Sequence, residues 1–377
     1  MLTVFADQHL FKAREIVPDE IDLRFYDPEK GLPAPLDEVD ALLIRTVTGI
    51  NAGTLGEPPP TLKFVGTGSA GTDHVDTDFL AAHGIRFAHS AGCNARSVAE
   101  YVVTSLIIWS DRNNIDLEQE IIGIVGVGHV GTVLQQMCDD LGWQHILFDP
   151  PRAEREKAFK SAELVELLEA SILTFHTPLH DHGVHSTYHW LNHEYLADHR
   201  FKLVINTSRG GVVDEQALLR AISSGTVDDM IIDVWENEPN FDNEVAENAF
   251  IATPHIAGYS VQAKYRATKM VVDQMIEHFS LDLPVNKLTN SKEAVCFEGQ
   301  DIETLSLAQV LQQVHPVQQY ADALNKLVGL AIDLKKKRFN RLRTSMPFRN
   351  EYTFLKVPEP LVRRFPVLSK LGISPPA

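Results

Sequence analysis

The sequence predicts an α/β protein built on a doubly wound parallel sheet, and three observations lead to this fold class. The 377 residues are enough for two or three domains. Short, continuously apolar runs, typical of strands buried on both faces, alternate with stretches compatible with helices. A glycine-rich loop, Gly126–Gly131, follows one apolar run and precedes a helical stretch. Strands and helices that alternate in this way form parallel sheets covered by helices on both faces.

The apolar runs fall into two groups along the chain. The strands expected in the N-terminal part are Leu2–Ala6, Ala41–Arg45, Phe64–Gly66 and Arg86–Ala88. Those expected in the central part are Glu120–Val125, His145–Phe148, Ile172–Phe175, Leu203–Asn206, Met230–Val234 and Phe250–Ala252. Helix-compatible stretches separate these runs, which favours parallel pairing.

Helices are expected between and after these strands. Ser97, with Glu100 three residues later, has the spacing of a capping box, so a helix is predicted to begin there and to run through Trp109. The other helices are expected from the glycine loop to Leu141 and at 162–168, 214–223 and 261–279. The C-terminal part differs in composition, because it contains the basic run Lys335–Arg338 and a proline-rich end. This basic run has two open interpretations, a solvated helix face and a surface for a substrate or a partner.

Composition and charge exclude several function classes. The hydrophobic fraction of 44% and the charged fraction of 23% are typical of a globular protein. A formal net charge of −17 opposes a general nucleic-acid or anionic-membrane surface. The N-terminus lacks the pattern of a signal peptide, and no apolar run is long enough for a membrane span, so a cytoplasmic location is expected. Cys93, Cys138 and Cys296 form no metal-binding pattern, so no metal site is expected.

The glycine loop has the pattern Gly126-x-Gly128-x-x-Gly131 that binds dinucleotides. Its first glycine permits a tight turn, the second lets the backbone approach a pyrophosphate, and the third allows close packing of helix on strand. The next strand is followed by Asp149, 18 residues after Gly131, near the spacing at which a carboxylate binds ribose hydroxyls. This carboxylate repels a 2′-phosphate, so the pattern predicts NAD rather than NADP, although nearby Arg152 weakens the preference. An ordinary turn-forming role for Asp149 is the alternative.

Three polar side chains stand just beyond predicted strand ends, where ligand sites lie in parallel sheets. They are Arg209, Glu238 and His255. A guanidinium holds the carboxylate of a 2-hydroxy acid with two parallel hydrogen bonds. A neutral imidazole accepts the hydroxyl proton as hydride leaves the carbon, and a nearby carboxylate orients that imidazole. The trio therefore predicts a dehydrogenase of 2-hydroxy acids, whereas each residue alone would suit an ordinary surface charge.

Together these motifs resemble the D-2-hydroxyacid dehydrogenase superfamily over about residues 1–280. The phrases Gly66–Asp76 and Asn94–Glu100 add to the resemblance. It implies a Rossmann-type domain inserted into a smaller, flavodoxin-like substrate domain. The implied boundaries are 1–93 and 259–285 for the substrate-binding domain, 94–258 for the NAD-binding domain and 286–377 for a C-terminal α+β dimerisation domain.

The resemblance also implies roles for individual residues. Arg209, Glu238 and His255 become the catalytic residues, with His255 as the acid/base. The implied NAD contacts are Gly126, Gly128, His129, Val130, Gly131, Asp149, Thr177, Asp233 and Gly258. The implied substrate contacts are Thr46, Thr67 and Tyr259. The alternative for these hydroxyl-bearing residues is ordinary turn chemistry.

Within the superfamily, the phrases Arg45–Thr48, Phe148–Arg152 and His255–Tyr259 resemble a branch with a phosphorylated substrate. That branch oxidises 4-phospho-D-erythronate to 2-oxo-3-hydroxy-4-phosphobutanoate in vitamin B6 biosynthesis. The C-terminal part, around Phe339–Arg343 and Arg349–Glu351, implies a homodimer. A small phosphorylated hydroxy acid is thus the expected substrate. The alternatives are a dehydrogenase for 3-phosphoglycerate or glyoxylate/hydroxypyruvate, and a non-catalytic NAD(H)-sensing protein of the same fold.

Overall fold

The computed structural model describes residues 2–285 and 292–376. The chain divides into two compact units. The first consists of Met1–Asn94 and Ser260–Ser291, and the second of Ala95–Tyr259 and Lys292–Ala377. The predicted start of a C-terminal domain, at residue 286, lies outside the described residues. Each unit is therefore built from two separate stretches of the chain.

Strands and helices alternate over most of the described chain. The strands are β1 (Thr3–Asp7), β2 (Asp22–Tyr26), β3 (Ala41–Ile44), β4 (Phe64–Thr67), β5 (Arg86–His89), β6 (Ile121–Val125), β7 (Gln144–Phe148), β8 (Ile172–Phe175), β9 (Phe201–Asn206), β10 (Val227–Ile232), β11 (Ile251–Ala252), β12 (Glu293–Ala294) and β13 (Leu355–Lys356). The helices are α1 (Ala13–Ile16), α2 (Ala52–Leu55), α3 (Thr77–Ala82), α4 (Ala95–Asn113), α5 (His129–Leu141), α6 (Pro150–Arg155), α7 (Leu164–Leu167), α8 (His193–Asp198), α9 (Glu215–Ser224), α10 (Asn243–Asn248), α11 (Val261–His278), α12 (Leu307–Val314), α13 (Val317–Asn325), α14 (Ile332–Ser345), α15 (Glu359–Arg364) and α16 (Pro366–Lys370). Among the described residues, no helix combines the length and the apolar composition that crossing a bilayer requires.

The first unit contains a parallel sheet with the strand order β2-β1-β3-β4-β5. This is the flavodoxin-like order. Helix α11 contributes Val271, Val272 and Met275 to the apolar core on one side of the sheet. The sequence does not predict β2, because this edge strand includes Asp22 and Arg24 and so lacks a continuous apolar run.

The second unit contains a parallel sheet with the strand order β11-β10-β9-β8-β6-β7. Strand β6 pairs with β7 on one side and with β8 on the other, so the strand order reverses at β6. Doubly wound sheets bind ligands at such a switch point, beyond the carboxyl ends of the strands. The glycine loop follows β6 and leads into α5, which begins at His129. The prediction of a Rossmann-type doubly wound sheet is confirmed.

Helix α4 corrects one local prediction. It begins at Ala95, so Ser97 and Glu100 lie inside the helix and do not form a capping box. Residues one turn apart share a helix face, and both side chains here enter a buried polar network. The Ser97 hydroxyl donates to Glu351 Oε1 at 3.1 Å, and Glu100 Oε2 accepts from Arg349 Nη1 at 2.6 Å.

The C-terminal part packs into the same core as the Rossmann-type sheet. One apolar cluster joins Ile122 and Ile205 of the sheet to Val310 and Leu361 of the C-terminal helices. The Glu100–Arg349 ion pair is almost fully buried within this region. The structure therefore groups the C-terminal part with the Rossmann-type domain, and dimerisation through it stays a prediction.

Candidate active site

Three loops follow neighbouring strands of the second unit. Strands β9, β10 and β11 lie side by side in the sheet, and the loops after them carry Arg209, Glu238 and His255, respectively. Parallel strands end at one edge of a sheet, which is where ligand sites form. The structure therefore places the predicted trio on one edge of the sheet.

The imidazole of His255 and the carboxylate of Glu238 are in direct contact. Nδ1 lies 2.9 Å from Oε1 and 2.8 Å from Oε2. An ionised carboxylate only accepts hydrogen bonds, so Nδ1 carries the ring proton and donates a hydrogen bond to Glu238. Nε2 is then the basic nitrogen, because a neutral imidazole has one acceptor. The Glu238–His255 pair can therefore take a proton from a hydroxyl group at Nε2.

The ionised state of Glu238 depends on its neighbours. Burial raises the pKa of this carboxyl, but the charge and hydrogen bond of His255 and the charge of Arg343 together hold the pKa below its ordinary value. A nearby positive charge favours the charged form of a carboxyl group. Glu238 is thus a permanent acceptor for the imidazole near neutral pH.

The loop that carries His255 is held by Asp233. His255 has a left-handed φ of 56°, which costs free energy unless the surroundings fix it. Asp233 is 1% exposed and accepts the N–H groups of Ile256 and Ala257 at 2.8 and 2.9 Å. It also accepts the hydroxyl of Thr253 at 2.6 Å. These bonds fix the His255 loop, and the contact of Asp233 with NAD stays a prediction.

Arg209 lies in a loop that packs tightly against the loop of Glu238. A Cβ on the adjacent Gly210 would lie 1.8 Å from the carbonyl oxygen of Trp235, so only glycine allows this approach. Nη1 of Arg209 donates to the carbonyl of Ser208 at 2.8 Å. The close packing fixes the backbone of Arg209 beside the loop that carries the catalytic carboxylate.

The glycine loop fits a dinucleotide. Gly126 has a φ of +88°, and a Cβ on it would lie 2.7 Å from Cγ2 of Thr177. A Cβ on Gly131 would lie 2.2 Å from the carbonyl oxygen of Gly126, so α5 starts in close contact with the loop. Within the described part of the chain, no heavy atom lies within 4 Å of a Cβ placed on Gly128. The Thr177 hydroxyl is buried with no hydrogen-bond partner among the described residues, as expected of a group that a ligand satisfies.

The first turn of α5 lies next to this loop. His129 begins the helix and is exposed, and Val130 is partly buried. The first N–H groups of a helix have no partner within the helix, so they favour an anionic group such as a phosphate. The positions predicted to contact NAD are therefore available at this helix end.

Asp149 directly follows β7 and reaches back to the glycine loop. Its carboxylate accepts the N–H of Val127 at 2.8 Å and the N–H of Arg152 at 2.9 Å. Each carboxylate oxygen keeps a lone pair for a ribose hydroxyl, so the turn role and the cofactor role are compatible. The Arg152 guanidinium donates to the carbonyl of Val127 at 2.6 Å and to Glu156 at 2.8 Å. Donors of this arginine are thus committed within the protein.

Two predicted substrate contacts, Thr46 and Thr67, lie in the first unit. Thr46 is exposed after β3. Thr67 is fully buried at the end of β4, and its hydroxyl is bonded to Ser69 Oγ and His74 Nε2, both at 2.9 Å. Within the described residues the Thr67 hydroxyl is thus already hydrogen-bonded at the carboxyl end of β4, and its contact with the substrate stays a prediction.

Gly258 and Tyr259 follow the His255 loop in a tight turn. The N–H of Tyr259 donates to the carbonyl of Ile256 at 2.8 Å, and both turn residues are partly exposed. The Tyr259 ring packs edge-on against Phe348, with ring centroids 5.8 Å apart. This predicted substrate residue is therefore in contact with the C-terminal part.

Several residues that support the site have no sequence motif. Tyr101 bonds the hydroxyl of Thr253 at 2.7 Å and extends the support of the histidine loop. Buried Glu215 accepts the N–H of Glu236 at 2.9 Å, and burial raises the pKa of Glu215 to about 8. Arg343 brings a positive charge to the catalytic pair. The basic composition of the C-terminal part is the signal in the sequence that points towards this arginine.

His189, Asp214 and Glu236 form a cluster whose ligand atoms lie within 4.8 Å of one another. Their polar atoms already serve the protein. His189 Nε2 is bonded to Glu236 at 3.0 Å, and Asp214 accepts the N–H of Ala217 to cap α9. The cluster is therefore explained by hydrogen bonding among the loops around the site.

Residues 97–257 match the NAD binding domain of the D-isomer specific 2-hydroxyacid dehydrogenases. The chain is 39% identical over 341 residues to an erythronate-4-phosphate dehydrogenase from Proteus mirabilis, covering 87% of this chain and 88% of that protein. It is 35% identical over 390 residues to an erythronate-4-phosphate dehydrogenase from Escherichia coli, covering 99% and 98%.

Among solved structures, the chain is similar to a D-lactate dehydrogenase from Aquifex aeolicus complexed with NAD and lactic acid. The TM-score is 0.58 and the identity 23%, over 74% of this chain and 95% of that one. At this identity the likeness supports the fold alone. The matches to the two relatives extend over most or nearly all of the chain. The match to the Escherichia coli protein therefore includes the C-terminal part, which lies outside residues 97–257. The chain belongs to the erythronate-4-phosphate dehydrogenase family, and its Rossmann-type domain is the NAD-binding domain of the D-isomer specific 2-hydroxyacid dehydrogenases.

Proposed function

We propose that this protein oxidises the 2-hydroxyl group of 4-phospho-D-erythronate, with NAD as the hydride acceptor. The product is 2-oxo-3-hydroxy-4-phosphobutanoate. The observation that carries the proposal is the Glu238–His255 pair at the edge of a nucleotide-binding sheet, on a loop next to that of Arg209. The names of the two relatives support the choice of substrate. The reaction is a step of vitamin B6 biosynthesis in the branch that the sequence resembles.

The residues of the site divide the chemistry between them. Arg209 holds the substrate carboxylate with two parallel hydrogen bonds. His255 accepts the proton of the 2-hydroxyl group at Nε2. Glu238 accepts the hydrogen bond of Nδ1, and its negative charge stabilises the imidazolium that forms. NAD, when bound, supplies the acceptor for the hydride that leaves the same carbon. The balanced products are a 2-oxo acid, NADH and a proton on His255.

The cofactor would be held by groups whose geometry fits it. Backbone N–H groups at Gly128 and at the start of α5 would bind the pyrophosphate. Thr177 would satisfy its buried hydroxyl on the cofactor. Asp149 would bind the adenosine ribose and repel a 2′-phosphate. The hydrogen bonds of Arg152 within the protein favour NAD further.

The direct test follows NADH absorbance with purified protein, NAD and 4-phospho-D-erythronate. We expect turnover with this substrate and much slower turnover with 3-phosphoglycerate or D-glycerate. His255→Asn should lower kcat by about a thousandfold or more, while NADH binding measured by fluorescence stays near that of the wild type. Faster turnover of 3-phosphoglycerate or glyoxylate/hydroxypyruvate would favour another hydroxyacid dehydrogenase. Tight NADH binding without turnover of any of these acids would favour an NAD(H)-sensing protein.

We further propose that the chain forms a homodimer through its C-terminal part and acts in the cytoplasm. Exposed apolar side chains on the first turn of α14 support the dimer, because Ile332 is 58% and Leu334 40% exposed. Light scattering after gel filtration should give twice the chain mass. Ile332→Glu with Leu334→Lys should weaken the dimer, and a wild-type monomer would contradict the proposal. Fractionation of cells, with immunoblotting of each fraction, tests the location.

A further inference from the structure

One face of α14 is docked on the loop that carries Glu238. Lys335, Phe339 and Arg343 are spaced four residues apart, so they lie on the same side of the helix. Lys335 is 4% exposed, and its Nζ donates to the carbonyl of Phe241 and to Asn243 Oδ1, the latter at 2.7 Å. This end of the helix face is thus bonded directly to the backbone of the loop.

The middle of the same face is apolar. Phe339 is fully buried, and its ring centroid lies 5.9 Å from that of Phe241. Phe241 in turn packs against Trp235, with ring centroids 5.1 Å apart. Trp235 and Phe241 flank Glu238 in the sequence. Helix α14 therefore packs directly against one end of the segment that carries the catalytic carboxylate and, through Phe241, supports the other end at Trp235.

The third residue on this face, Arg343, brings a charge to the site. Its Nε is buried and has no hydrogen-bond partner among the described residues, so this donor serves no structural bond there. The guanidinium lies close enough to Glu238 for its charge to favour the ionised carboxylate. Arg343 is partly exposed as a whole, so its charge and its buried Nε, rather than the packing of its side chain, are what it brings to the catalytic pair.

We propose that Arg343 is a positioning residue of the active site, whose charge keeps Glu238 of the same chain ionised while His255 receives the substrate proton. This inference rests on the proposed function, because it concerns the same proton transfer. It differs from a role of the C-terminal part in dimerisation alone. Under this proposal, α14 is part of the catalytic machinery of its own chain.

The other titratable groups that act on Glu238 explain why a permanent cation is needed. Among the described residues they include His255, which bonds to the carboxylate, and Glu215 at the start of α9. Asp233 interacts electrostatically with His255, and Glu236 and Asp242 with Glu215.

In the proposed function His255 accepts the substrate proton, so its own charge changes during the reaction, whereas its hydrogen bond to Glu238 is already present. Burial raises the pKa of Glu215 to about 8, so it is mostly uncharged near neutral pH. The charge of Arg343 therefore acts together with His255 and with a hydrogen bond from the Trp235 backbone against the burial of Glu238, and it is the contribution that does not change during proton transfer.

The test compares pH profiles of kcat/KM for 4-phospho-D-erythronate between about pH 5 and about pH 9. Arg343→Gln and Arg343→Met remove the charge, and Arg343→Lys keeps it. Arg220→Gln is the control, since Arg220 is an exposed arginine of α9 with no assigned role in the site or the dimer. Melting temperatures of all variants show whether the fold is kept.

Removing the cation makes it easier for the catalytic pair to take up protons. We expect the acid limb to move to higher pH by about one unit in both neutral variants. Values of kcat/KM at the acid end then fall about tenfold, and those on the alkaline plateau stay within about threefold. Arg343→Lys should restore the wild-type limb, and the control profile should coincide with that of the wild type.

Three results would overturn the proposal. A parallel loss at every pH, or unfolding of both neutral variants, would show a structural role. The neutral variants could also raise KM for 4-phospho-D-erythronate more than they raise KM for unphosphorylated D-erythronate, relative to the wild type. That result, with an unmoved acid limb, would show a substrate-binding role. Neutral variants with the wild-type profile would show no role. A wild-type protein that does not turn over 4-phospho-D-erythronate would instead refute the proposed function.

Discussion

Replacing Glu238 by Gln removes the charge that stabilises the imidazolium of His255 and keeps the shape of the side chain. Nδ1 of His255 lies 2.9 and 2.8 Å from the carboxylate oxygens, and 23% of the Glu238 side chain is exposed. Opposite charges about 4 Å apart gain roughly 4 kcal/mol at an effective dielectric constant of about 20. Partial solvent screening reduces this to about 3 kcal/mol, which corresponds to a roughly hundredfold lower kcat.

Initial rates of NADH formation from 4-phospho-D-erythronate measure the effect. We expect KM to stay within about threefold, because the carboxylate acts on the proton and not on the bound acid. Glu244→Gln is the control, since Glu244 is exposed on α10, and it should show wild-type rates. A Glu238→Gln enzyme that keeps more than about a third of the wild-type kcat would refute the role of the carboxylate.

Three further predictions concern the cofactor site and the pH dependence of stability. Gly128→Ala should keep the wild-type free energy of unfolding, because the described residues leave its Cβ position open, but it should weaken NADH binding in a fluorescence titration by about tenfold or more. Gly126→Ala should weaken NADH binding and also lower the free energy of unfolding in urea by about 2 kcal/mol, because Gly126 has a φ of +88° and an added Cβ would meet Thr177. Equal NADH affinity in wild type and Gly128→Ala would place the pyrophosphate elsewhere. Asp149→Ala should raise kcat/KM with NADP relative to NAD by about tenfold, and an unchanged ratio would remove Asp149 from cofactor selection. Burial raises the pKa of Glu215 to about 8 from an ordinary 4.5. The stability that its protonated form contributes is therefore fully present below about pH 4.5 and is lost as the pH rises from there through about 8, on the order of 5 kcal/mol in all. Glu215→Gln should flatten that part of the stability profile in urea unfolding, and a slope equal to that of the wild type would contradict the assignment.

The sequence predicts the strands whose side chains are apolar on both faces. Strand β8 has the predicted bounds, and β6 differs from its predicted bounds by one residue, because central parallel strands form continuous apolar runs. Edge strand β2 has no such run. The start of α4 also could not be predicted from the neighbouring sequence, because the side chains of Ser97 and Glu100 form hydrogen bonds with residues about 250 positions away in the chain.

The site shows the same division between local and distant information. Arg209, Glu238 and His255 are predictable because each directly follows a strand on the same sheet edge. The hydrogen bonds of the Thr67 hydroxyl to Ser69 and His74 are not predicted, although all three residues lie in the phrase Gly66–Asp76, because the phrase does not say which side chains face each other. Arg343 lies on a C-terminal helix, and only the docking of α14 reveals its neighbour Glu238.

The buried Glu100–Arg349 ion pair limits how this chain can be recombined with its relatives. Glu100 belongs to the first helix of the Rossmann-type domain, and Arg349 to the C-terminal part. Deleting the C-terminal part would remove Arg349 and leave buried Glu100 with Arg96 as its remaining cationic partner among the described residues. Breaking a buried ion pair by removing one partner costs about 3–5 kcal/mol. The two regions must therefore change together, as one inherited block rather than as exchangeable modules.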